Sequence, residues 1–94
     1  MDVLNTLKHH DNTIKSRFGV KKIGLFGSFI RGEELENSDI DILVEFEKGQ
    51  KTFDNYMELK FYLEDIFNRK VDLVTISSIK PHLKDNILDE IVYV

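Results

Sequence analysis

Gly27-Ser28-Phe29-Ile30-Arg31-Gly32, five residues, then Ser38-Asp39-Ile40-Asp41-Ile42-Leu43-Val44: the fold is read outward from this stretch. Ahead of it, Lys22–Phe26 is a short apolar run with strand character. The segment Arg31–Ser38 is polar and too short for a regular crossover helix. From Asp39 to Phe46 the residues alternate, with Ile40, Ile42, Val44 and Phe46 on one face, and this is the strongest strand of the chain. Two strands joined by so short a connection are expected to pair antiparallel.

Farther out, Thr52 to about Asn68 has helical spacing, and Val71–Ile76 reads as a third strand. A full helix between strands two and three predicts a parallel pair with a right-handed crossover. The helix stripe is taken as Phe53, Tyr56, Met57, Leu63, Ile66 and Phe67, with Phe53, Tyr56 and Met57 read as core rather than as a base-stacking platform. Upstream, Val3, Leu7, His10, Ile14 and Phe18 define an amphipathic helix that Gly19 ends. Downstream, Ser78 and Pro81 open a last helix to about Glu90, carrying Leu83, Ile87, Leu88 and Ile91. Val92-Tyr93-Val94 is apolar enough to dock on the body of the protein. The expected fold is therefore α/β (α+β), in the order α-β-β-α-β-α. A small mixed three-stranded sheet is packed with helices, and residues 1–94 form one domain.

This topology carries chemistry to one place. Gly27-Ser28 ends strand one, Asp39 and Asp41 begin strand two, and Asp72 begins strand three. Antiparallel then parallel pairing brings all of them to the same end of the sheet. Asp39 and Asp41, two apart, point to one face. Three crowded carboxylates repel one another, and divalent cations relieve that cost. Oxygen ligands on few residues suit Mg²⁺, and two such ions clamp the attacking and leaving oxygens of an in-line phosphoryl displacement. Gly27 lets backbone N–H groups approach a phosphate, and Ser28 adds a hydroxyl donor.

These residues resemble the signature of the polymerase-β-type nucleotidyltransferase superfamily. The likeness is strongest to its minimal branch, the MNT domains that act as antitoxins beside HEPN-domain toxins. It runs from about Ile23 to Val74 and extends loosely over the flanking helices. The resemblance implies a polymerase-β-like fold in which Gly27 and Ser28 hold the triphosphate of ATP and Asp39 and Asp41 bind metal. It also implies that Asp72 ligates the metal near the acceptor hydroxyl and assists its deprotonation. Arg31 falls on the pattern too, either touching phosphate, ordering the loop, or pairing with Glu33 or Glu34. The implied reaction moves AMP from ATP to a tyrosine hydroxyl of a HEPN toxin, which this chain would meet as a hetero-oligomer.

Composition narrows the alternatives. A formal charge of -4 argues against general nucleic-acid binding, which needs a basic stripe. There is no cysteine, hence neither disulfide nor thiolate metal site. The N-terminus lacks a basic region followed by an apolar run, and no apolar stretch approaches the roughly 20 residues of a membrane span. A cytoplasmic location is expected. His9, His10 and His82 read as surface or helix-face residues, and Glu33-Glu34-Leu35-Glu36 as a solvated face. Two other functions compete: an antitoxin that only occludes its partner, and transfer to a small molecule. The intact Ser28, Asp39, Asp41 and Asp72 weigh against the first, and the absence of a further acceptor domain against the second.

Overall fold

The computed structural model describes residues 2–94. In chain order the elements are α1 (Val3–Phe18), β1 (Val20–Phe26), α2 (Ser28–Arg31), β2 (Ile40–Phe46), α3 (Phe53–Phe67) and β3 (Val71–Thr75). A 3₁₀ turn (Ile76–Ser78), α4 (Pro81–Glu90) and β4 (Val92–Tyr93) follow. The sheet has four strands in the order β3-β2-β1-β4. β1 runs antiparallel to β2, and β2 parallel to β3, as the connection lengths require. The fourth strand corrects the three-stranded expectation. The apolar tail does dock, and it does so by pairing Val92 and Tyr93 antiparallel with Leu25 and Gly24.

Local signals set the helix ends. Asp2 caps α1 by accepting from the Asn5 N–H, and Gly19 closes it in the left-handed region at φ +62°. Thr52 caps α3 through the Asn55 N–H, and Asn68 closes it, again left-handed. α4 starts on Pro81 at its first turn; Ser78 instead belongs to the 3₁₀ turn, where its hydroxyl donates to the Thr75 carbonyl.

The core lies on one face of the sheet. Val3, Leu7, Ile14 and Phe18 of α1 and Leu59, Leu63 and Phe67 of α3 pack over Ile23, Leu25, Ile40, Ile42, Val44, Val71 and Leu73. Val20 is buried there as well, although its parity is wrong for Ile23 and Leu25. A bulge explains it: Val20 opposes Phe46 and Lys22 opposes Glu45, so one extra residue switches the alternation. The expected α3 stripe was rotated. Its centre is Leu59-Leu63-Phe67, and Phe53 is 78 % exposed. At 3.6 residues per turn, Phe53 and Met57 lie roughly 80° and 120° around the helix from Leu63. His10, on the α1 stripe, is half-buried with its Nδ1 3.0 Å from the Tyr62 hydroxyl.

The opposite face carries Phe26 and Leu43, both buried and both outside that cluster. α4 and the segment after it approach this side. A β-carbon added at Gly24 would stand 2.8 Å from Ile91 Cγ1, so the glycine makes room for the returning chain. Among the described residues no helix is long and apolar enough to cross a membrane.

Candidate active site

Strand register assembles the site. Phe26, the last residue of β1, pairs with Asp41, and Asp41 pairs with Asp72 across the parallel ladder. The Gly27-Ser28 turn, Asp41 and Asp72 thus meet at one end of the sheet. Asp39 lies two residues before Asp41, just ahead of the strand, and is exposed like Asp72.

Gly27 turns the chain sharply from β1 into the single turn of α2. Its φ of +78° and ψ of -151° fall where only glycine is at ease. A β-carbon there would also collide with the Asp41 carboxylate. The amides of Ile30 and Arg31 donate back to the Gly27 carbonyl at 3.1 Å, which fixes Ser28 at the first helical position.

Two contacts were not foreseen. The Gly27 N–H donates to Glu90 Oε1 at 3.0 Å, and Arg31 Nη1 donates to both Glu90 oxygens at 3.0 Å. Arg31 also reaches Glu33 Oε2 through Nε at 3.3 Å. Of the open readings for Arg31, the pairing with Glu33 is present, and Glu90 at the end of α4 is the stronger partner. Hydrogen bonds from Glu90 first and Glu33 second push the Arg31 guanidinium further up from its ordinary value. Around these groups is a cleft of about 330 Å³ lined by Phe26, Gly27, Arg31, Asp41, Leu83, Asn86, Ile87 and Glu90.

Asp41 is the perturbed carboxylate. Its pKa is pushed up from 3.8 to about 6, chiefly by burial, then by the negative charges of Asp72 and Asp39; Arg31 opposes the rise. Asp39 opens on a neighbouring hollow of about 380 Å³ with Asn37, Ser38, Arg69 and Lys70. Among the described residues no three histidine, aspartate or glutamate side chains form a ready-made metal cage. The structure brings Asp41 and Asp72 side by side and sets Asp39, exposed, on the neighbouring hollow. A third hollow, of about 320 Å³, lies by Thr52, Phe53, Tyr56, Leu73, Thr75 and Ser78, at the opposite end of β3 from Asp72.

A glycine-serine turn abutting paired strand carboxylates on a mixed sheet is the layout of a nucleotidyltransferase. The chain belongs to that family: the model of the nucleotidyltransferase domain matches residues 7–94. It is 45% identical to a candidate protein adenylyltransferase of Methanocaldococcus jannaschii, over 99% of this chain and 95% of that protein. It is 43% identical to the protein adenylyltransferase MntA of Thermococcus cleftensis, over 99% and 93%. A crystal structure of a toxin–antitoxin with AMP-PNP superposes with a TM-score of 0.74 at 25% identity, over 92% of this chain and 70% of that one.

Proposed function

We propose that this chain moves AMP from ATP onto a tyrosine hydroxyl of a HEPN-domain toxin, acting as its antitoxin within a hetero-oligomer. Residues 1–94 act as one minimal nucleotidyltransferase domain, working in the cytoplasm where ATP is supplied. The observation that carries this reading is the convergence of the Gly27-Ser28 turn with Asp41 and Asp72 at one sheet end. The adenylyltransferase relatives and the structure of a similar toxin–antitoxin with AMP-PNP support it.

In this reading Gly27 and Ser28 hold the triphosphate, and Arg31 adds charge beside them. Asp39 and Asp41 are the donor-side ligands of Mg²⁺, and Asp72 faces the acceptor. The residues suit a hard cation: all three are carboxylates, and Asp41 already suffers from the charges of the other two. Bound there, two ions would offset the phosphate charge and stabilise the attacking and leaving oxygens. In this reading Asp72, exposed at the start of β3, takes the phenolic proton as that oxygen attacks the α-phosphorus. The bond from the α-phosphorus to its bridging oxygen breaks, and pyrophosphate leaves. The cleft beside Asp41 is open to solvent, which fits an acceptor delivered on another polypeptide.

The test is Asp72→Asn co-expressed with a HEPN-domain toxin partner. It should bind the partner normally, add no AMP mass to it, and fail to protect cells. Full protection by a variant that leaves its partner unmodified would overturn the enzymatic reading in favour of occlusion.

A further inference from the structure

Three separate segments carry Ser28, Asp39 and Asp72, and one side chain, rooted in the third, touches the other two. Arg69 lies in the turn between α3 and β3, two residues before Val71. Its Nη1 donates to the Ser38 carbonyl at 3.1 Å and to the Leu35 carbonyl at 3.4 Å. Its guanidinium sits over the Phe29 ring, 5.2 Å from the centroid. Ser38 directly precedes Asp39, Phe29 directly follows Ser28, and Arg69 lies three residues before Asp72.

The base of this side chain is itself fixed. Asn68 turns left-handed at the end of α3, the Arg69 N–H donates to the Glu64 carbonyl, and the Val71 N–H donates to Glu64 Oε2 at 3.0 Å. The Ile40 N–H donates to the Lys70 carbonyl at 3.0 Å, which locks the starts of β2 and β3 together. The loop that Arg69 holds is otherwise short of anchors. Between Glu33 and Asp39 it has no regular structure, and its own bonds link only Leu35 with Ser38. No apolar side chain of this loop is buried, so polar contacts set its position.

The choice of residue matters. A planar guanidinium offers in-plane donors to carbonyls and a flat face to an aromatic ring at once, which an ammonium cannot do. Among the described residues Arg69 forms no salt bridge with Asp39, although both border the same hollow. The charge is spent on carbonyl oxygens, and the Asp39 carboxylate stays available.

We infer that Arg69 is a positioning residue for nucleotidyl transfer, setting Asp39 in register with Ser28 and Asp72 without touching either substrate. This rests on the proposed reaction, and the experiment separates the two. The purified protein, Arg69→Gln and Arg69→Lys are compared in three measurements: Mn²⁺ affinity by calorimetry, thermal midpoint, and the kcat and KM for ATP with the partner as acceptor. A misplaced donor-side ligand should weaken Mn²⁺ binding about 5- to 10-fold and lower kcat at least 10-fold in Arg69→Gln. The thermal midpoint should move by only a few degrees, and Arg69→Lys should fall between the two proteins. Mn²⁺ affinity unchanged in Arg69→Gln would overturn the inference, as would losses that merely follow the thermal midpoint. Absence of transfer by the unsubstituted protein would sink the proposed reaction, and the Mn²⁺ affinities would still decide the role of Arg69.

Discussion

Asp41→Asn should make the metal-free protein more stable at neutral pH, and the gain should vanish in acid. Folding half-buries this carboxylate beside Asp72 and Asp39, lifting its pKa from 3.8 to about 6. A raised carboxyl means that the folded state binds its proton more tightly than the unfolded chain does. Well below pH 3.8 both states hold the proton and nothing is lost. As pH rises towards 6 the unfolded chain ionises first, and the folded state carries a penalty that is complete above its own pKa. The rise corresponds to roughly 3 kcal/mol at about 1.4 kcal/mol per tenfold change in proton affinity. Water reaches much of the group, and screening reduces the expected cost to about 1–2 kcal/mol. Asparagine carries no charge at any pH and escapes it. Urea unfolding in EDTA, at pH 7.5 and again at about pH 3, reads both values. An Asp41→Asn protein that is less stable at pH 7.5, or equally stabilised at both pH values, would refute the reasoning. Added Mg²⁺ should stabilise the unsubstituted protein more than the variant, because the variant lacks one of the proposed carboxylate ligands.

Three further outcomes are expected. Gly27→Ala should lose about 1–3 kcal/mol in a denaturant titration, because alanine is strained at φ +78° and its methyl meets Asp41. Ser28→Ala should reduce transfer roughly 5- to 150-fold, the loss of one hydroxyl donor to an anion at about 1–3 kcal/mol, while Asp39→Asn and Asp41→Asn abolish it in the same radiolabel assay. Leu63→Ala, at the centre of the buried α3 stripe, should cost about 2–5 kcal/mol of stability by urea melt and leave Mn²⁺ affinity in the surviving folded fraction unchanged.

What could be read from sequence depended on how local its cause was. The direction of β1, β2 and β3 follows from connection lengths, and alternation places Asp41 on the face away from Ile40 and Ile42. Asp41 and Asp72 could therefore be brought together before any coordinates. The bulge at Lys21 escaped, since a two-against-one register exists only between strands. β4 escaped for a related reason: two residues have no period, and Val92-Tyr93 becomes a strand only against Gly24 and Leu25. Phe53 misled because an aromatic at the first helical turn fits the stripe in sequence yet lies roughly 80° around the helix from Leu63 and stays exposed. Glu90 and Arg69 left no local trace, because their partners lie far along the chain.

The bond between the Gly27 amide and Glu90 has a thermodynamic consequence. With Glu90 in place, the amide and the Arg31 guanidinium already have an anionic partner. If Gly27 holds phosphate as proposed, an incoming phosphate oxygen takes that amide only by exchange, one charge-assisted hydrogen bond for another, so its net gain is a difference between two similar quantities. Glu90 is the last residue of α4, and Ile91 and Val92 carry the chain straight into its pairing with β1. A competition for one amide at the mouth of the cleft is thereby coupled to the edge of the sheet. Whatever loosens Val92 and Tyr93 from β1 also lowers the competitor's effective concentration at Gly27.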